Sequence, residues 1–146
     1  MKREANSSGL RESVCFKLNR VVRNIKRYYE NRLAPYDITA SQFFVLNVLW
    51  ENDGIKFKDL AKCANMDGST LTGILDRMEQ SGLVERRDDP DDRRSLLIFL
   101  TEKAKKEGPE LISIAKSFDR EVKEKFSKKD FETFLRVLDQ LFEQTD

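Results

Sequence analysis

The sequence predicts a mainly α-helical chain carrying one small β-wing, with long helices at its N- and C-terminal ends. Three observations carry this. Apolar residues recur every three or four positions towards both ends. Two short helical stretches meet at a glycine-containing turn within residues 57–82. Two strand-like runs then flank an Asp- and Pro-rich tip at 88–93. A length of 146 residues suits one domain with a real core.

Leu10, Val14, Leu18, Val21, Ile25, Tyr28 and Leu33 make one apolar stripe on a single helix over about 10–34, ended by Pro35. Thr39 and Gln42 form a capping box, with Ile38 and Phe43 as its hydrophobic staple. The helix they start runs through Trp50. It is expected to be nearly all buried, because Phe43, Phe44, Val45, Leu46, Val48, Leu49 and Trp50 leave almost no polar face. Phe57 to Ala64 makes a short helix, Asn65-Met66-Asp67-Gly68 a turn, and Ser69 to Ser81 a second helix closed by Gly82. This is a helix-turn-helix. Leu83–Arg87 and Arg94–Leu100 form the hairpin after it, so the unit over 37–100 is a winged helix-turn-helix. Thr101 caps the next helix, which Gly108-Pro109 should kink or restart. Ser127 caps the last, whose stripe is Phe131, Phe134, Leu138, Leu141 and Phe142.

Composition narrows the chemistry. Histidine is absent, which removes His-based general-base catalysis, His-containing triads and the usual zinc sites. Cys15 and Cys63 cannot make a four-ligand cysteine site within one chain, so neither metal nor cofactor is expected. No glycine-rich phosphate loop or paired-carboxylate cleft is readable, and the chain is not read as an enzyme. The longest apolar run, Leu96–Leu100, is far short of the ~20 residues that span a membrane. No secretory signal is visible, and a cytoplasmic location is expected. Net charge is +1, but residues 1–36 carry nine Lys/Arg against three Asp/Glu, a basic head. The terminal helices, 10–34 and 101–143, pose a packing problem that two chains solve by interlacing their ends. A helix-turn-helix homodimer would read a pseudo-palindromic site in double-stranded DNA.

The run Asp92-Arg93-Arg94-Ser95-Leu96-Leu97-Ile98-Phe99-Leu100-Thr101 resembles the D-x-R-x5-L-T signature of the multiple-antibiotic-resistance regulator (MarR) family. Leu60-Ala61, Ser69-Thr70-Leu71-Thr72, Asp76-Arg77 and Ser81-Gly82-Leu83-Val84 are similar to that family's helix-turn-helix at the same spacing. The resemblance covers about residues 10–142. It implies a dimeric winged-helix transcription regulator, most often a repressor of a nearby operon released by a small ligand or an oxidant.

Under that reading Arg94 enters a minor groove and Asp92 orients it. The alternative is an Asp–Arg pair in a solvated turn. Ser69, Thr70 and Thr72 suit phosphates and base edges at a helix N-terminus, or serve as plain caps. Lys58, Lys62, Arg77, Arg86 and Arg87 are expected to neutralise phosphates. The Asp88-Asp89-Pro90-Asp91-Asp92 cluster lacks the pattern of a calcium loop and reads as a charged, soluble wing tip.

Two triggers are open. Val14-Cys15-Phe16-Lys17-Leu18 is similar to the organic-hydroperoxide-sensing branch of the family, where a first-helix cysteine is oxidised, and Tyr29 matches one thiol-contacting tyrosine. The other two partner positions are Asn19 and Ala40, which departs from that branch. Cys15 as a small buried residue is the alternative, and Cys63 is read as core. Otherwise Arg20, Arg23, Lys26 and Arg27 beside Val22, Tyr28 and Tyr29 suit a small anionic aromatic effector, unless they are a solvated or DNA-facing surface. A winged-helix protein-interaction module without specific DNA binding is the remaining alternative.

Overall fold

A computed structural model describes residues 8–145. The chain divides into two compact units, one ending at Glu107 and the other beginning at Gly108.

The first unit opens with a break in the expected single helix. Ser13 adopts an extended conformation and its Oγ accepts a hydrogen bond from Phe16 N (3.3 Å), so α1 (Ser8–Arg11) ends and α2 (Val14–Leu33) starts anew. The competing signal was the cap at Ser13, which the uninterrupted apolar stripe concealed. Pro35 lies in a single 3-10 turn (Ala34–Tyr36), closed by Asp37 in the left-handed region at φ +55°. The capping box of α3 (Ala40–Glu51) is complete: Gln42 N donates to Thr39 Oγ1 (3.2 Å) and Thr39 N to Gln42 Oε1 (3.0 Å).

Helix α3 is the centre of the core, though not buried all round. Phe43, Val45, Leu46 and Leu49 are buried, whereas Val48 and Trp50 are half-buried and Phe44 is exposed. A helix apolar on every face needs neighbours on every face, and Phe44 stays exposed beside the Tyr29 ring, 5.7 Å between centroids. Leu60 of α4 (Phe57–Cys63), then Leu71, Leu75 and Met78 of α5 (Gly68–Gln80), complete the core with Leu83, Val84, Ile98 and Leu100. Each fully buried leucine contributes roughly 1.5–3 kcal/mol. Cys63 is exposed, against the expectation of a core residue, because α4 buries only Leu60.

The sheet has three antiparallel strands in the order β1-β3-β2. The wing strands are β2 (Val84–Asp89) and β3 (Asp92–Leu100), longer than the sequence suggested, so the tip shrinks to Pro90-Asp91. The third strand, β1 (Ile55–Lys56), pairs Ile55 with Ile98. Gly54, at φ +78°, makes that approach feasible: a Cβ there would sit 2.6 Å from the Phe99 ring. The wing tip is only partly solvated. Asp89 is buried; its Oδ1 accepts from Asp91 N (2.9 Å) and its Oδ2 lies 3.4 Å from Lys56 Nζ.

Helix α6 (Glu102–Lys125) begins in the first unit and ends in the second, and runs through Pro109 as one helix. Ala104, Gly108 and Leu111, at helical spacing, are all buried. In the second unit, α7 (Lys128–Thr145) is capped by Ser127 Oγ, which accepts from Asp130 N (3.1 Å). Its stripe is little covered: Phe134, Leu135, Val137 and Phe142 are exposed, and Phe131, Leu138 and Leu141 half-buried. Among the described residues no helix is long and apolar enough to cross a membrane, and no cluster of metal-ligating side chains occurs.

Candidate nucleic-acid interface

The second helix of the helix-turn-helix starts at Gly68, behind the cap at Asp67, rather than at Ser69. Asn65, at φ +50°, turns the chain, and Met66 N donates to Ala61 O (2.9 Å). Asp67 then caps α5. Its Oδ1 accepts from Thr70 N (2.8 Å) and Ser69 Oγ (2.7 Å), and its Oδ2 from Thr70 Oγ1 (2.9 Å). These bonds, the Thr70 N–H first, hold its pKa down to about 2, so the carboxylate is ionised and accepts only. The Ser69 and Thr70 hydroxyls must therefore donate inwards. Thr72 Oγ1 likewise donates to Gly68 O (2.8 Å). All three hydroxyls leave only lone pairs for solvent or a ligand. That orientation suits donors on base edges and is the wrong polarity for phosphate oxygens.

Lys58 and Lys62 on α4, Arg77 on α5, and Arg87 and Arg94 on the wing are all exposed. Arg87 is partly engaged, with Nη2 2.8 Å from Glu85 Oε2 and its guanidinium 4.4 Å over the Phe99 ring. Arg86 corrects the expectation of a phosphate partner. Alternation along β2 turns it from the solvent to α5, where Asp76 and Glu79, three apart, share one helix face. Its Nη2 lies 2.7 Å from Asp76 Oδ1, and its Nε donates to Glu79 Oε2 (2.7 Å). The two carboxylates raise the Arg86 pKa, Asp76 most.

Asp92 orients Arg94 through the backbone rather than through its guanidinium. Arg94 N donates to Asp92 Oδ1 (3.0 Å) and Ser95 Oγ to Asp92 Oδ2 (2.8 Å). These bonds, the Arg94 N–H first, lower the Asp92 pKa. The Arg94 side chain itself is exposed.

A groove of about 490 Å³ lies between α2, α3 and α5, lined by Lys26, Glu30, Thr39–Gln42, Ser69, Thr70, Gly73, Ile74 and Arg77. Of the expected effector cations only Lys26 is there. Arg20, Arg23 and Arg27 are exposed elsewhere on α2, and Tyr28 stacks under Arg32 (3.4 Å to the ring centroid). The Cys15–Tyr29 pairing does not form within one chain. Cys15 is exposed, Tyr29 is buried against Phe43 (5.2 Å between centroids), and at 1.5 Å per residue α2 separates them by roughly 20 Å. Asp67, the partners of Arg86 and the polar wall from Thr39 to Gln42 were not read in the sequence as parts of a site. Only Asp67 had a local signal, an Asp two and three residues before Ser69 and Thr70.

Residues 38–96, from just before α3 into β3, match the MarR family. The transcriptional regulator MgrA of Staphylococcus aureus is 34% identical over 108 residues, which cover 73% of this chain and 74% of MgrA. Among solved structures, a MarR transcriptional regulator from Methanosarcina mazei Go1 is 29% identical, with a TM-score of 0.79 over 88% of this chain and 93% of that one. Reduced AbfR bound to DNA is 27% identical, with a TM-score of 0.77 over 95% of each chain, and overoxidised AbfR has also been solved on DNA. These relatives are regulators and not enzymes. The residues and the fold agree with them, and the chain belongs to the MarR family of DNA-binding transcription regulators.

Proposed function

We propose that the protein is a cytoplasmic homodimeric repressor of a nearby operon, released from a pseudo-palindromic operator by a small anionic aromatic ligand. Residues 37–100 are its DNA-binding module, and the helices over 10–34 and 101–143 its dimerisation elements. Exposed apolar side chains support the dimer: Val14, Phe16, Val21 and Val22 on α2, and Phe134, Leu135, Val137 and Phe142 on α7. Such surface is rarely left to water. In the DNA-binding module Arg94 reads a groove, Lys58, Lys62, Arg77 and Arg87 meet phosphates, and the Ser69, Thr70 and Thr72 oxygens face base edges.

The observation that carries the release is the groove itself. Its walls include Ser69, Thr70 and Arg77, three of the residues assigned to DNA. An anion held by Lys26 and Arg77, with its ring on Ile74 and Ala40, takes Arg77 away from phosphate. The experiment is selection of a tight duplex from a random pool, followed by fluorescence anisotropy of that duplex with benzoate-class anions. Lys26→Gln should bind the duplex as wild type does and resist release. Equal release of both would sink the ligand site.

A second reading rests on the exposure of Cys15 on α2. Its thiolate would be oxidised to sulfenic acid, releasing DNA. Cys15→Ser would then bind the duplex and no longer release it with an organic hydroperoxide. Unchanged wild-type binding under the oxidant would remove this reading.

A further inference from the structure

The contact between the wing and the second helix of the helix-turn-helix is made by one cation and two anions. Asp76 and Glu79 lie on the face of α5 that meets β2, and Arg86 projects from β2 into both. The guanidinium is only about a quarter exposed, and its Nε and Nη2 are both used. The three residues together carry a formal charge of −1, so the cluster does not attract phosphate. Hydrogen bonds at the wing's base hold its root: Leu83 N donates to Met78 O (2.8 Å) and Thr101 Oγ1 to Gly82 O (2.6 Å). Beyond that root, at the register of Arg86 opposite Ile98, the ion cluster is what ties the hairpin to α5. On the other edge of the hairpin β1 pairs with β3 at Ile98 and Leu97 and Lys56 reaches Asp89, so that edge is anchored separately and the cluster sets the β2 edge against α5.

We infer that Arg86 is a positioning residue that sets the angle between the wing and the second helix of the helix-turn-helix, so that both meet one DNA site together. This rests on the reading of that helix and the wing as the DNA-contacting elements. The rigid fork of arginine suits the task, since it meets two carboxylates at fixed angles where a lysine meets them as a point.

The test uses the selected duplex and an unrelated duplex of equal length, each titrated at several salt concentrations. The proteins are wild type, Arg86→Gln, Arg86→Lys and the double variant Asp76→Asn/Glu79→Gln. Arg86→Gln should lose roughly tenfold or more in affinity for the selected duplex, the scale of one recognition contact. Its affinity for the unrelated duplex and its salt slope should stay unchanged. The double variant decides the matter, because it adds two units of positive charge and frees Arg86. Positioning demands that it too lose preference for the selected duplex, and that Arg86→Lys recover part of that preference. A phosphate contact demands the reverse: the double variant binds the selected duplex more tightly, and Arg86→Gln lowers the salt slope by about 0.9. That result, or an unchanged preference in either variant, overturns the inference. Circular dichroism checks folding, and the double variant stands if Arg86→Gln fails to fold. Wild type that selects no duplex would instead overturn the DNA-contacting roles on which the inference rests.

Discussion

Two regions of the first unit use the same device for different ends. At the start of α5, Asp67 gathers the Thr70 N–H and the Ser69 and Thr70 hydroxyls. At the start of β3, Asp92 gathers the Arg94 N–H and the Ser95 hydroxyl. In each an aspartate fixes the chain just ahead of exposed polar side chains. The outcomes differ in sign. On the helix the bonds consume every nearby hydroxyl proton and present acceptors. On the wing they leave the long cation of Arg94 exposed and present a donor. The first arrangement suits the hydrogen-bond donors of bases, the second a negative groove.

The largest expected effect comes from breaking the wing side. Arg94→Ala should weaken binding of the selected duplex by roughly ten- to a hundredfold while circular dichroism stays unchanged. Binding equal to wild type would mean that the wing reads no groove. Next, Asp67→Ala should lower both the melting temperature and the duplex affinity, since it removes the cap and frees the hydroxyls to rotate. If melting falls and affinity does not, the orientation of the hydroxyls is irrelevant to recognition. Asp92→Ala should be milder, with a several-fold loss of affinity and little change in melting, because the hairpin survives without its turn.

Acid gives the finest comparison. The Asp67 pKa is depressed from 3.8 to about 2. Its stabilising contribution is therefore fully present above the unfolded value and is lost as pH falls through the folded one. Melting temperature measured from pH 5 down to 2 should decline more steeply for wild type than for Asp67→Asn, which caps without titrating. Parallel curves would assign the acid sensitivity to other carboxylates.

What the sequence revealed followed the range of the interaction. The Thr39–Gln42 box, the Ser127 cap and the turn at Gly82 depend on residues within four of one another, and all stand as read. The helix-turn-helix and the hairpin follow from periodicity. Errors arose where a local signal met a tertiary one. Gly108-Pro109 was expected to kink or restart the helix, and α6 does not restart there. Strand β1 is two residues long and exists only through its pairing with β3. Arg86 looked like another wing cation, since nothing in a run of Arg and Asp states which arginine is paired with a helix seven to ten residues earlier. The lining of the groove beside α2 was not legible for a related reason. Four basic residues on α2 are equivalent in sequence, yet only Lys26 faces Ser69 and Arg77 across the groove.

The carboxylate of Asp53, just beyond α3, closes the far side of the sheet. Its Oδ1 accepts from Leu100 N (2.7 Å), 47 residues on, and its Oδ2 lies 3.3 Å from Lys105 Nζ. This gives the fold an order in time. Helix caps and the tight wing turn involve neighbours and can form within microseconds, whereas a bond across so long a loop must wait until the strands between are aligned. Asp53 thus locks a structure already assembled, and its removal should accelerate unfolding while leaving the refolding rate unchanged. Stopped-flow unfolding and refolding of Asp53→Ala would show one arm of the chevron displaced and the other in place.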